Sequence, residues 1–171
     1  MKTKNVVILP YSAEWKINFE LIKIELLNVL EDLVVSIEHV GSTSVEGLSA
    51  KPIIDIDIVI KDHSIFDSVV NKLEQIGYRH EGDLGIKDRE AFKYSGKEHL
   101  QKHHLYVCPM DSEELKRHIT FRDYLREHPQ EVKAYSQIKV EGANLYPDNI
   151  DKYIEYKSAL INKIYKKCGL V

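Results

Sequence analysis

The stretch IEHVGSTSVEGLSAKPIIDIDIVI, residues 37–60, decides the fold. Its first apolar run ends at Gly41, and its second carries Asp55 and Asp57 between isoleucines. Residues two apart on a strand project from the same face, so these two aspartates are predicted to lie side by side. Neighbouring carboxylates repel, and desolvating them costs several kcal/mol per ion, roughly, unless a cation lies between them. The pattern therefore predicts a site for a divalent cation that prefers oxygen ligands.

The segment between the two apolar runs is predicted to bind phosphate. Gly41 permits a tight turn and a close approach of backbone to ligand. The hydroxyl groups of Ser42, Thr43 and Ser44, together with backbone N–H groups, can hold a triphosphate. Lys51 precedes the second strand and can neutralise phosphate charge. Paired aspartates can also simply face solvent or form salt bridges, but a Gly-Ser loop at this spacing favours the ligand site.

The hydrophobic spacing along the chain predicts an α+β protein. It predicts helices over 12–30, 64–76, 111–128, 129–143 and 148–167. It predicts strands over 34–40, 52–60, 78–81, 90–95 and 104–108. This order indicates a mixed sheet flanked by helices, followed by a C-terminal helical layer. We expect one domain over residues 1–171, with a mixed α/β core over about 1–110 and the helical layer over 111–171.

The composition limits the class of protein. Hydrophobic residues make up 43% of the chain and charged residues 30%, which is enough apolar material for a packed core. The net charge of −3 disfavours a general nucleic-acid binder. No apolar run reaches the length of a membrane span. The two cysteines have no metal-binding spacing, so reduced thiols are the simplest interpretation. We therefore expect a soluble cytoplasmic protein without a membrane partner.

Several motifs together give a family resemblance. The segments IEHVGSTSVEGLSAKPIIDID, HHLYVCP, FRDYLREHP and IDKYIEYKSALI occur in this order, preceded by YSAEW. From about Tyr11 to Ile161 the chain resembles the GrpB family (UPF0157), within the DNA polymerase β-like nucleotidyltransferase superfamily. The resemblance implies a nucleotidyltransferase-like fold, a divalent ion such as Mg²⁺ or Mn²⁺ at Asp55 and Asp57, and a nucleoside triphosphate or related phosphorylated ligand. A similar domain fused to dephospho-CoA kinase in some bacteria points to a nucleotide or coenzyme A context.

The chain departs from the superfamily pattern in one respect. Active nucleotidyltransferases usually carry a third carboxylate on a neighbouring strand, whereas the best candidate strand here presents His104, Tyr106 and Cys108 on its alternating face. His104 is therefore expected to face the aspartates, as a metal ligand that would also admit Zn²⁺ or as a general base. Glu38 is a possible further metal ligand. A one-metal site, a different metal and a non-catalytic pocket all remain open.

Basic residues on the predicted C-terminal helices are candidate phosphate contacts. Arg122 is assigned this role, and at least one of Arg122, Arg126, Lys139 and Lys157 is expected to face the pocket, because the helical layer can line the substrate cleft. Five histidines are instead expected at the surface: His63, His80, His99, His118 and His128.

Two functions follow from the sequence. The first is a metal-dependent nucleotidyl transfer to an unidentified acceptor, with Asp55, Asp57 and His104 in the catalytic set. The alternative is a catalytically degenerate module that binds a nucleotide or coenzyme A-related ligand or assists folding.

Overall fold

The computed structural model describes residues 5–171, and residues 1–4, which the predicted domain included, lie outside the described part. The described chain forms a five-stranded sheet with helices on both faces. The helices are α1 (Glu14–Leu30), α2 (Phe66–Gln75), α3 (Glu113–Glu127), α4 (Pro129–Leu145) and α5 (Ile150–Lys167). The strands are β1 (Ser36–Val40), β2 (Ile54–Ile60), β3 (Tyr78–Gly82), β4 (Glu90–Tyr94) and β5 (His103–Pro109).

The sheet is mixed, as the sequence predicted. Its order is β1-β2-β5-β4-β3, with β2 and β5 parallel and the other neighbours antiparallel. Strand β2 therefore has β1 on one side and β5 on the other. Cross-strand partners point to the same face, so the register determines which side chains meet. Glu38 pairs with Asp57 across β1 and β2, and Asp55 pairs with His104 across β2 and β5.

The two faces of β2 pack against different clusters of apolar residues. Ile54, Ile56 and Ile58 are fully buried in the main core, against apolar residues of α1 and α2. On the opposite face, Val59 and Cys108 pack with Leu115 of α3. The period-two alternation of β2 thus directs its isoleucines into the main core and its aspartates toward the C-terminal helices.

The α+β class and the order of elements are confirmed, and most boundaries move by only a few residues. Strand β1 begins at Ser36, two residues later than predicted, and a short 3-10 helix, Glu31–Leu33, lies between it and α1. The fourth helix, predicted to end at residue 143, continues to Leu145. Within residues 5–171, no helix is both long enough and apolar enough to cross a bilayer.

Candidate functional site

Gly41 places the Gly-Ser loop directly against Asp55. The glycine has a φ of 73°, in the left-handed region, and a Cβ atom built on it would collide with the Asp55 carboxylate. The loop then closes into a 3-10 turn, in which the backbone N–H of Ser44 donates to the Gly41 carbonyl over 3.1 Å. The sequence predicted that Gly41 would let a ligand approach the backbone closely. In the structure, the group next to Gly41 is the Asp55 carboxylate.

The two aspartates share a face of β2 but differ in environment. The Asp57 side chain is completely buried, whereas that of Asp55 is 32% exposed. Asp57 Oδ2 accepts a hydrogen bond from His118 Nδ1 over 2.6 Å, while Asp57 Oδ1 is buried without a hydrogen-bond partner. Burial raises the pKa of Asp57 against the opposing hydrogen bond from His118. An unsatisfied buried oxygen is costly, and Asp57 Oδ1 is thus an acceptor in need of a partner.

His118 is the partner that sequence reasoning missed. Its Nε2 lies 3.1 Å from Glu114 Oε1, so a carboxylate meets each ring nitrogen. Burial opposes charge on the ring, but the hydrogen bond and charge of Asp57, with the charge of Glu114, outweigh it and raise the pKa of His118. The expected surface position is wrong, because α3 packs on the aspartate face of the sheet. Glu114, His118 and Arg122 recur every four residues, and this spacing was the available signal.

His104 faces Asp55, as expected from the strand pattern. Its Nδ1 donates to Asp55 Oδ1 over 2.9 Å, and 43% of the His104 side chain is exposed. Its register partner on β2 is Asp55, whereas Asp57 lies opposite Tyr106. His104 therefore contacts the exposed aspartate and leaves its Nε2 available to another group.

Arg122 and Glu38 bind each other. Arg122 Nη1 donates to Glu38 Oε2 over 2.9 Å and to the His39 carbonyl over 3.1 Å, and Nε donates to Asp123 over 2.9 Å. Only 11% of the Arg122 side chain is exposed, and it does not line the cleft described below. Arg122, which the sequence predicted as a phosphate contact, joins α3 to β1 in the structure. Glu38, considered as a metal ligand, already has this cationic partner.

A cleft of about 150 Å³ opens beside Asp55, between the Gly-Ser loop and helices α4 and α5. Its polar lining combines hydroxyl groups, cations and one carboxylate, from Ser42, Thr43, Lys51, Asp55, His104, Lys139, Tyr153 and Lys157. Asp57 lies deeper and does not line it. The cleft is thus lined by both the predicted phosphate loop and Asp55, the more exposed of the two aspartates.

The cations of the cleft are three lysines. Lys139 is 3% exposed, and its Nζ donates to Ser42 Oγ and, over 3.2 Å, to the Ser49 carbonyl. Burial lowers the pKa of Lys139 well below its usual value and that of Lys157 to about 8. Burial also lowers the pKa of Lys51, and the charge of Asp55 opposes the shift. Lys139 and Lys157 are the helical-layer cations that the sequence expected to face the pocket.

The remaining loop hydroxyls are partly engaged within the protein. Thr43 Oγ1 lies 2.9 Å from His39 Nε2, and burial lowers the pKa of His39 to about 4, so this ring is neutral. Ser44 Oγ donates to the Gly41 carbonyl over 2.5 Å. Of the three hydroxyls proposed for phosphate, Ser42 is the one that joins a cleft lysine, while Ser44 supports the turn.

The acidic side chains of the site include donors that suit a metal ion. Residues 5–171 contain no ready-made group of three or more His, Cys, Asp or Glu side chains that could hold one. The orphaned Asp57 Oδ1 and the adjacent Asp55 carboxylate nevertheless supply oxygen donors on one face. Such a pair fits Mg²⁺ or Mn²⁺, which commonly take only one or two carboxylates and complete their shells with phosphate and water. Zn²⁺ fits less well, because it usually takes at least three protein ligands.

Comparison with known proteins gives a consistent family assignment. A family model described as "GrpB protein" matches residues 5–167. The UPF0157 protein YqkA of Bacillus subtilis is 33% identical over 158 residues, which cover 92% of this chain and 46% of the relative. The chain therefore spans about half the length of that relative. The crystal structure of the conserved protein GrpB from Enterococcus faecalis is 34% identical, covers 95% of this chain and 96% of that chain, and has a TM-score of 0.82.

More distant structures share the fold alone. The Cid1 poly(U) polymerase, in a structure with MgGTP bound, aligns with a TM-score of 0.55 at 10% identity. The alignment covers 78% of this chain and 43% of that polymerase. The described sheet and helices therefore have a nucleotidyltransferase-like arrangement.

Proposed function

The chain belongs to the GrpB family and has a nucleotidyltransferase-like fold, and from this premise we propose that it binds a nucleoside triphosphate, or a related phosphorylated ligand, with a divalent metal ion. Asp55 and Asp57 hold the metal, and the Gly-Ser loop and the cleft hold the phosphates. The reaction is the transfer of a nucleotidyl group: an acceptor hydroxyl, not yet identified, forms a bond to the α-phosphorus, the bond between the α- and β-phosphates breaks, and pyrophosphate leaves. The observation that carries the proposal is the convergence of three lysines on the cleft beside Asp55.

The lysines support a phosphate site because none of them forms an ion pair at contact distance with a described residue, and the charge of Asp55 acts on them only from farther away. None of the ion pairs found among residues 5–171 involves Lys51, Lys139 or Lys157, although other lysines, such as Lys97 and Lys167, do pair with glutamates. Keeping a lysine such as Lys139 almost wholly buried costs free energy. An anionic ligand would offset that cost, since its charge stabilises the ammonium form.

Each group in the site has a distinct chemical role. Ser42, Lys139 and Lys157 bind and orient phosphate oxygens, and Asp55 and Asp57 present carboxylate oxygens to the metal. When bound, the metal neutralises phosphate charge and polarises the phosphoryl group. His104 donates through Nδ1 to Asp55, which leaves Nε2 to accept a proton from the hydroxyl of an acceptor.

Calorimetric titration of ATP in the presence of Mn²⁺ tests the proposal. We expect Asp55→Asn and Asp57→Asn to weaken binding by at least about tenfold, or 1.4 kcal/mol. Asp67→Asn is the matched control, since Asp67 is exposed on α2, which packs on the opposite face of the sheet. Absence of binding by the natural chain with both Mg²⁺ and Mn²⁺ would refute the proposal.

A second candidate is a binding module without turnover, for a nucleotide or a coenzyme A-related ligand. It is favoured by the partners of the acidic groups: His104 contacts Asp55, His118 contacts Asp57, and Arg122 contacts Glu38. Among residues 5–171, the two further carboxylates near the pair, Glu38 and Glu114, are thus both paired within the protein. Incubation with radiolabelled nucleoside triphosphates and a set of acceptors distinguishes the two, because repeated turnover excludes the module and ligand binding without product supports it.

A further inference from the structure

We propose that the cleft selects its ligand by the number of linked phosphates and does not discriminate among nucleobases. This inference rests on the proposed function and specifies its ligand: the site recognises the polyphosphate part of the molecule. Tripolyphosphate and the four common nucleoside triphosphates are therefore bound with similar affinity, and nucleoside monophosphates are bound poorly.

Charge is the first argument. Lys51, Lys139 and Lys157 all line the cleft, and Asp55 is its one carboxylate among the described residues. A single terminal phosphate carries a charge of about −1.5 to −2 near pH 7. One such group balances the charge of only part of a three-lysine site. A chain of linked phosphates carries more negative charge and can contact more than one ammonium group.

The tyrosine rings near the cleft already form cation–π contacts with its lysines. Lys157 Nζ lies 4.7 Å from the centre of the Tyr153 ring, and Lys51 Nζ lies 5.5 Å from the same point. Lys139 Nζ lies 4.4 Å from the centre of the Tyr135 ring. These distances are those of cation–π contacts. The tyrosine rings therefore contact lysine ammonium groups, whereas a site that recognises a nucleobase would leave aromatic rings free to stack on the base.

The size and lining of the cleft lead to the same conclusion. A volume of about 150 Å³ is below the range of roughly 300–1,000 Å³ typical of sites that enclose a whole drug-sized ligand. The cleft therefore encloses the phosphates while the nucleoside extends outward. Asn and Gln, whose amides pair well with base edges, are absent from the described residues that line it.

Calorimetric titration in Mn²⁺ buffer tests the inference with tripolyphosphate, ATP, GTP, CTP, UTP and AMP. We expect dissociation constants for the four triphosphates within about threefold of one another, and that of tripolyphosphate within about tenfold of theirs. AMP should bind at least about thirtyfold more weakly than ATP. A preference of about tenfold or more for one base, or AMP binding as tightly as ATP, overturns the inference but leaves the proposed function standing.

Two variants of α5 test whether Lys157 contacts the phosphates of the ligand. Lys157→Met should weaken all four triphosphates and tripolyphosphate by one common factor, about tenfold or more. Lys163→Met, at an exposed position of the same helix, should leave every affinity unchanged. If Lys157→Met weakens one nucleotide but not tripolyphosphate, the lysine reads the nucleoside and the inference is wrong. If the natural chain binds neither tripolyphosphate nor any triphosphate, the proposed function fails with it.

Discussion

His118 Nδ1 lies 2.6 Å from Asp57 Oδ2, so the deepest carboxylate of the site is hydrogen-bonded by a side chain from α3. The exposed carboxylate, Asp55, has its own histidine partner on β5. The acidic pair thus uses one oxygen of each residue for a protein contact. The second oxygen of Asp57, Oδ1, is buried without a hydrogen-bond partner.

The His118–Asp57 contact should make stability depend on pH. Because the pKa of His118 is raised above 6.5, its contribution is fully present below that value and is lost as the pH rises through the pKa of the folded state. We expect His118→Gln to lower the free energy of unfolding by about 1–3 kcal/mol near pH 6. Urea denaturation at about pH 6 and again near pH 8.5 should show this deficit shrinking at the higher pH.

His63→Gln is the control for this pH dependence. The His63 side chain is 61% exposed and contacts Asp88 at the surface. Its replacement should change the free energy of unfolding by less than about 0.5 kcal/mol at both pH values. A deficit for His118→Gln that stays constant with pH would show that the charge of the ring does not contribute.

Gly41→Ala should be destabilising for two separable reasons. With a φ of 73° and a ψ of −175°, Gly41 has a backbone conformation that is essentially restricted to glycine, and a non-glycine residue there costs about 1–3 kcal/mol. The added methyl group also meets the Asp55 carboxylate, which we expect to cost a further 1–3 kcal/mol or so. Gly96→Ala isolates the first cost, since Gly96 has a φ of 70° and no atom within 4 Å of the added Cβ. Equal losses in the two variants, measured by urea denaturation, would contradict the predicted clash.

Lys139→Met should separate stability from binding. The buried ammonium group is costly, and methionine has a similar length, so we expect the free energy of unfolding to stay the same or rise. Affinity for tripolyphosphate should fall by about tenfold or more. Lys133→Met, at an exposed position on the same helix, should change neither quantity. A variant that loses stability but keeps its affinity would give Lys139 a purely structural role.

Binding of tripolyphosphate should weaken above neutral pH. The pKa of Lys157 is about 8 in the free protein, and phosphate charge raises it in the complex, so binding takes up protons. Affinity should therefore fall as the pH rises from about 7 to 9. Titrations in buffers of different ionisation enthalpy measure the proton uptake directly. Lys157→Arg should bind with a shallower pH dependence, because arginine stays protonated throughout, whereas an unchanged dependence would assign the effect to another group.

Arg122→Met should affect stability without affecting ligand affinity. Arg122 donates to Glu38 and to the backbone of β1, so its loss leaves a partly buried carboxylate without a partner. We expect a destabilisation of about 1–3 kcal/mol by thermal and urea denaturation. The dissociation constant for tripolyphosphate should stay within about twofold of the natural value. A large loss of affinity would restore Arg122 as a phosphate contact.

The sequence predicted those parts of the site that depend on local geometry. Period-two alternation on a strand was enough to place Asp55 and Asp57 on one face. The same alternation placed His104 toward them, because β5 runs beside β2. The tight turn at Gly41 followed from the residue type, although its close neighbour did not.

The parts that the sequence missed depend on how the helices pack. His118 reaches Asp57 only because α3 crosses the aspartate face at a particular rotation, which hydrophobic spacing does not specify. Burial of Lys139 runs against the usual exposure of lysine. Arg122 was assigned to phosphate from its residue type and its place in the helical layer, but its partner in the structure is Glu38 of β1.

The cleft also has a mechanical consequence, because its two walls come from different parts of the chain. Ser42 and Asp55 belong to the sheet half, whereas Lys139 and Lys157 are carried by α4 and α5. A ligand that touches both walls adds its binding free energy to the docking equilibrium between the helices and the sheet. Amide hydrogens in α5 should then exchange more slowly in the complex, so hydrogen exchange would report occupancy without a label in the cleft.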